Sequence, residues 1–93
     1  MTEILRFQFP NAADREGVES DACLAIFSAE CLHGRPKTRL EVSYLLEASG
    51  VRCVFEVRGE AGGTALQVFI GLCGERFGEA GFTVERVSNA DGD

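Results

Sequence analysis

The side chains best suited to chemistry are four cysteines, one histidine and a short basic run. Cys23, Cys31, Cys53 and Cys73 form no C-x-x-C pair and no Cys/His spacing of a metal site. Cys23 and Cys31 lie eight residues apart. On one helix that is about 12 Å of rise, too far for a disulfide within it. Cys53 falls on the apolar side of an alternating segment, and Cys31 and Cys73 fall in apolar helical stripes. They read as small buried hydrophobes. His33 precedes Gly34-Arg35-Pro36-Lys37-Thr38-Arg39. It suits the last turn of a helix, where the macrodipole favours a cation. No serine, cysteine or carboxylate motif converges on it as catalysis requires. Arg35, Lys37 and Arg39 make the local basic cluster, with Arg35 and Lys37 the expected contacts for an anion or an acidic partner.

The segment Gly59-Glu60-Ala61-Gly62-Gly63 leads into a helix start, a place where anions bind. It lacks the lysine and spacing of a P-loop and is not G-x-G-x-x-G, and Glu60 repels phosphate. No enzyme activity, cofactor or metal is expected from these residues.

Fifteen acidic residues against nine basic give a net charge of −6, which disfavours polyanionic partners. Ninety-three residues with 45% apolar content suit one globular domain spanning 1–93. No run approaches the roughly 18–20 apolar residues of a membrane helix. Met1-Thr2-Glu3-Ile4-Leu5-Arg6 lacks the basic and apolar regions of a secretory signal. The expected location is the cytoplasm, where the cysteines stay reduced.

The clearest pattern runs over residues 39–58. Leu40, Val42, Tyr44 and Leu46 alternate with Arg39, Glu41, Ser43 and Leu45. After a Gly-bearing link, Val51, Cys53, Phe55 and Val57 alternate with Arg52, Val54, Glu56 and Arg58. Two period-2 runs of this kind predict a β-hairpin with one apolar face. Matching the faces sets Leu46 opposite Val51, Tyr44 opposite Cys53, Val42 opposite Phe55 and Leu40 opposite Val57, around a loop at 47–50.

The other elements follow from the same rules. Leu5, Phe7 and Phe9 alternate with Ile4, Arg6 and Gln8 in a first strand ended by Pro10. Residues 11–20 read as an acidic loop. A helix follows from an N-cap at Ser20 or Asp21 to His33, with Leu24, Phe27 and Cys31 as its core stripe and Cys23 alongside. Gly34 and Pro36 stop it. Residues 59–63 read as a flexible connection. Thr64 and Gln67 read as a capping box for a second helix with Leu66, Phe69, Ile70, Cys73, Phe77 and Ala80 on one face. Gly81 ends that helix. Phe82, Val84 and Arg86 alternate in a last strand, and 89–93 is an acidic, frayed tail. Ala22, Ala25 and Ala29 on the first helix and Gly71, Gly74 and Gly78 on the second share one spacing. They predict close helix–helix contact, with a flat surface for a partner as the alternative.

The order β-α-β-β-α-β predicts an α+β fold, the ferredoxin-like plait. Right-handed crossovers put strands 1 and 3 in the centre, strands 2 and 4 at the edges, and both helices on one face of a four-stranded antiparallel sheet. Acyl-phosphate hydrolases are similar in size and topology and place an arginine in a Gly-rich loop after the first strand. Here Arg15 lies near Gly17, but Asp14, Glu16 and Glu19 crowd it, which does not suit a phosphate cradle.

The open sheet face then carries Ile4, Arg6, Arg39, Glu41, Leu45, Arg52, Val54, Glu56 and Arg58, with Arg39 facing Arg58 and Glu41 facing Glu56. It has no aromatic residue, unlike an RNA-binding plait. The expected function is a non-enzymatic protein–protein interaction or assembly module working through this face or edge strand 2. It acts as a homodimer or as the small partner of a larger protein. No nucleic acid or membrane partner is expected. Two alternatives are an acidic inhibitor using Asp14, Glu16, Glu19, Glu75 and Glu79 as a decoy surface, and a small ligand-binding or hydrolytic domain lined by His33, Arg15 or the 59–63 loop.

Overall fold

A computed structural model describes residues 2–10, 15–48, 51–78 and 80–87. In chain order these form β1 (Glu3–Gln8), α1 (Arg15–His33), α2 (Arg35–Glu41), β2 (Val42–Leu46), β3 (Arg52–Val57), α3 (Gly59–Phe77) and β4 (Thr83–Val87). The strands make one antiparallel sheet in the order β2-β3-β1-β4, so β1 and β3 are central and β2 and β4 are edges, as expected. A third helix departs from the expected element order. The expected tail at 89–93 lies outside the described residues. No described helix is long and apolar enough to cross a membrane.

Helix α2 replaces the first third of the expected strand at 39–46. Gly34 does end α1: it takes φ 91°, and its N–H donates to the Glu30 carbonyl 2.9 Å away. Pro36, however, also starts a helix, because a proline near the first helical position gives up only an N–H that would lack a partner anyway. The buried Thr38 hydroxyl donates to the Gly34 carbonyl at 2.8 Å and secures the turn. Arg39, Leu40 and Glu41 are therefore helical, and Leu40 is 71% exposed rather than buried opposite Val57.

The start of β2 at Val42 moves the hairpin register by two residues. Val42 faces Val57, Tyr44 faces Phe55 and Leu46 faces Cys53. A two-residue slip keeps every side chain on its expected face but changes all its neighbours. Ser43 now faces Glu56 and Leu45 faces Val54, while the Glu47 N–H donates to the Arg52 carbonyl at 3.0 Å. The expected Arg39–Arg58 and Glu41–Glu56 strand pairs do not form.

The core lies between the sheet and the helices. Leu5, Phe7 and Phe9 from the β1 segment meet Cys53, Phe55 and Val57 of β3 and Phe69 and Cys73 of α3. Phe7 sits edge-on to Phe69, ring centres 4.8 Å apart. Helix α1 begins at Arg15, so Ser20 and Asp21 are inside it and neither is its N-cap. Its buried side is Val18, Asp21, Ala22, Ala25 and Ala29. Leu24 and Phe27, expected in the core, are 49% and 60% exposed, and Cys23 and Cys31 are also exposed. The small side chains face inward because α1 lies against both α3 and the sheet side of the core. Asp21 is bridged across this contact: the Arg76 Nε and Nη2 donate to its two carboxylate oxygens at 2.8 and 3.0 Å.

Helix α3 begins at Gly59, so Thr64 is not its cap. The Thr64 hydroxyl instead meets the His33 Nε2 at 2.9 Å, joining the ends of α1 and α3. The helix ends at Phe77, with Gly78 at φ 79°, ahead of the expected stop at Gly81. Phe69 and Cys73 are buried as expected, but Ile70 is 37% exposed and Ala80 lies beyond the helix. A methyl group at Gly71, Gly74 or Gly78 would meet nothing within 4 Å. The glycine side of α3 is thus open and takes no part in the helix–helix contact.

Candidate functional site

The structure divides the expected surface in two. Arg6, Leu45, Arg52, Val54 and Glu56 stay together on the open sheet face. Arg39, Glu41 and Arg58 belong to the junction of α2 with α3, as do Arg35 and Lys37.

On the open face, one row across the sheet runs Leu45, Val54, Arg6, Glu85 and the next runs Ser43, Glu56, Ile4, Val87. The Arg6 Nη2 donates to Glu85 Oε1 at 2.8 Å, and Arg52 lies 3.6 Å from Glu47. Both arginines of the open face are therefore paired with an opposite charge. What remains unpartnered is Leu45, 67% exposed, with Val54 beside it and Glu56 nearby.

At the α2–α3 junction one of the two expected anion contacts, Lys37, is paired within the chain, with Glu41. Glu41 Oε1 accepts the Ala61 N–H at 2.8 Å, in the first turn of α3, and Lys37 lies 3.4 Å from its other oxygen. This carboxylate satisfies the N-terminus of α3, five residues ahead of the start expected at Thr64. Burial pushes the Glu41 carboxyl up; the Ala61 N–H, the Lys37 ammonium and the Gly62 N–H outweigh it and hold the group below its ordinary value. The glycines follow from this contact. Gly59, at φ 68°, sits against the Glu41 carboxylate, and Gly62 sits against its carbonyl oxygen. Arg58 donates from Nε to the Leu40 carbonyl at 3.1 Å, and Arg39 lies 3.8 Å from Glu30. Arg39 and Arg58 line a cleft of about 300 Å³ that also contains Glu41 and Glu56, so its charge is mixed.

The edge of the sheet at β2 was the alternative site, and its backbone can be read from two hydrogen bonds. The Arg58 N–H donates to the Glu41 carbonyl and the Glu47 N–H to the Arg52 carbonyl. In an antiparallel pair, residues that bond directly to the partner strand alternate with residues whose amides point away. Residues 41, 43, 45 and 47 therefore bond to β3, and Val42, Tyr44 and Leu46 turn their amides to the free edge. Val42 spends its N–H on the Thr38 carbonyl. The N–H and C=O of Tyr44 and of Leu46 have no partner among the described residues. Beside this edge, between β2 and α1, runs a groove of about 350 Å³ lined by Ile26, Glu30, Arg39, Val42, Ser43 and Tyr44.

The thiols divide as well. Cys53 and Cys73 are buried as expected, and burial pushes both thiols up to about 12. Cys31 is exposed, contrary to its expected place in the core, and Cys23 Sγ lies 3.7 Å from the Tyr44 hydroxyl. Burial, and then the contact with Cys23, pushes that hydroxyl up to about 12. Among the acidic residues expected to form a decoy surface, Glu19 is 3.4 Å from Arg15, and Arg76 interrupts the α3 end of the set. Asp14 and Glu79 lie outside the described residues. No protein-family model and no curated protein matches this chain.

Proposed function

We propose that the protein is a non-enzymatic interaction module that binds an extended segment of a partner protein along β2. The observation that carries this reading is the pair of outward-facing residues Tyr44 and Leu46 on the free edge. A row of unpaired amides is a template for an added strand. The groove between β2 and α1 gives alternate side chains of that strand a place to lie. Leu45 and Val54 extend the contact onto the open face, with Arg6, Arg52 and Glu56 around them.

The fold supporting this surface is, in our reading, a ferredoxin-like plait with α2 inserted before β2. The strand order and the two long helices favour it. The net charge of −6 and the lack of aromatics on the open face favour a protein partner over nucleic acid. We assign the module to the cytoplasm, where its cysteines remain thiols.

Affinity capture from a lysate with wild type and three variants tests the reading. Leu46→Pro removes an N–H that no described group uses and blocks an added strand. Arg39→Glu alters the groove, and Arg86→Glu alters the opposite edge. A captured protein lost with the first two variants and kept with the third supports strand addition at β2. A partner that binds Leu46→Pro and wild type equally refutes it, provided the variant melts cooperatively.

A further inference from the structure

The two edges of the sheet are guarded differently. Edge strands are usually blunted by charge or proline, because their free amides template association. Strand β4 carries Glu85 and Arg86. Strand β2 reads Val42-Ser43-Tyr44-Leu45-Leu46, with no charge, proline or glycine. Its row on the open face is also lopsided. From the β4 edge it runs Glu85, Arg6, Val54, Leu45, so the ion pair lies at one end and the exposed leucine at the other, on the β2 edge. Repeated by a twofold axis at that edge, the row becomes apolar in the middle and charged at both ends, the layout of a protein interface.

The backbone pattern selects the occupant and its register. Tyr44 and Leu46 each turn an N–H and a C=O outward, and outward residues of an antiparallel pair bond in reciprocal couples. For a second β2 running antiparallel, three settings centre the overlap within residues 44–46. With the axis at Tyr44, Leu46 meets Val42, whose N–H already goes to the Thr38 carbonyl. With the axis at Leu46, Tyr44 meets Ala48, in the turn beyond the strand, and Leu45 meets Glu47. With the axis at Leu45, Tyr44 of each copy meets Leu46 of the other, and every outward N–H and C=O of the two residues is bonded. Leu45 then lies directly opposite Leu45 of the second copy on the open face. The setting that satisfies the backbone is thus also the one that covers the 67% exposed leucine. A twofold interface has this self-complementary form.

We infer that the strand added at β2 is the β2 of a second copy, antiparallel about a twofold axis at Leu45, so that two four-stranded sheets join into one. This rests on the reading of β2 as a strand-addition edge and names the strand. The contact is small, below the roughly 1,000 Å² of stable complexes. The dilute chain is therefore single, with Tyr44 and Leu46 free, and pairs form as concentration rises. Any other extended segment competes for the same amides.

Light scattering and a charge exchange test it. Between about 10 μM and 1 mM the wild-type mass is expected to rise from one chain towards two, as a weak contact of this size requires. Leu45→Glu and Leu45→Lys each set like charges across the axis and weaken pairing by about tenfold or more. An equal mixture of the two variants sets opposite charges there and restores pairing between unlike chains. Because Leu45 is 67% exposed, both variants melt near wild type. Amide exchange at Tyr44 and Leu46 slows with concentration in wild type and not in either variant alone. A wild type that stays monomeric at about 1 mM overturns the inference. Strand addition itself then stands if a captured partner protects Tyr44 and Leu46, and falls if it does not. A dimer that both Leu45 variants leave intact also overturns the inference, because it forms elsewhere, and so does a mixture of the variants that fails to pair.

Discussion

The same substitution in one helix should stabilise at two positions and destabilise at a third. Gly62, Gly71 and Gly74 all lie in α3. A methyl at Gly71 or Gly74 meets nothing within 4 Å. Alanine there recovers the helix propensity that glycine lacks, about 0.8–1.0 kcal/mol at each site. A methyl at Gly62 would lie 2.6 Å from the Glu41 carbonyl oxygen and 3.1 Å from Val57 Cβ. That carbonyl already accepts the Arg58 N–H at 2.8 Å, so it cannot move away without loosening the α2–β3 junction. Overpacking of this kind costs about 1–3 kcal/mol and exceeds the propensity gain. The expected net loss for Gly62→Ala is up to about 2 kcal/mol. Urea denaturation at low protein concentration reads all three. With a slope of about 1–2 kcal/mol/M, each stabilising change raises the midpoint by roughly 0.5–1 M and Gly62→Ala lowers it by a similar amount. The melting temperature moves by about 4–8 °C per kcal/mol in a domain of this size. Destabilisation by Gly71→Ala would show the glycine side of α3 to be packed, and a neutral Gly62→Ala would show the Glu41 contact to be slack. Either result refutes the reasoning.

Two further changes test the interior. Asp21→Ala strips the bidentate partner from Arg76 and should cost about 2–3 kcal/mol, less than for a fully buried pair because the Arg76 side chain is 34% exposed. A double-mutant cycle with Arg76→Met should give a coupling of about 1 kcal/mol or more, and a coupling near zero would deny the pair its role between α1 and α3. Stability should also fall at alkaline pH. Cys53 and Cys73 are raised from 9.0 to about 12 in the folded state, so their contribution is full below 9 and is lost as pH rises from 9 towards 12. The slope is roughly 1 kcal/mol per pH unit for each thiol. It should shrink in Cys53→Ala and Cys73→Ala; an unchanged slope in both would contradict burial as its cause.

Which face each strand residue occupies was legible because period-2 alternation survives even a register error. Tyr44 and Phe55 are on the core side in the expected register and in the observed one. Strand order was legible because crossover handedness leaves few options. Helix α2 was not, because Pro36 carries two meanings: it is as good a first-turn residue as it is a stop signal. The start of α3 was hidden for a different reason. Gly59-Glu60-Ala61-Gly62-Gly63 has poor helix propensity, and only the long-range contact with Glu41 makes it helical. The buried face of α1 was misread because Leu24, Phe27 and Cys31 outweigh Ala22, Ala25 and Ala29 in hydrophobicity, whereas tight packing against α3 favours the small set.

Amide hydrogen exchange at β2 tests the proposed function most directly. In the protein alone, Ser43 and Leu45 should exchange slowly and Tyr44 and Leu46 quickly. In complex with a captured partner, Tyr44 and Leu46 should become as protected as their neighbours, because an added strand bonds to these two amides. If partner binding leaves both exchanging as before, strand addition at β2 is wrong.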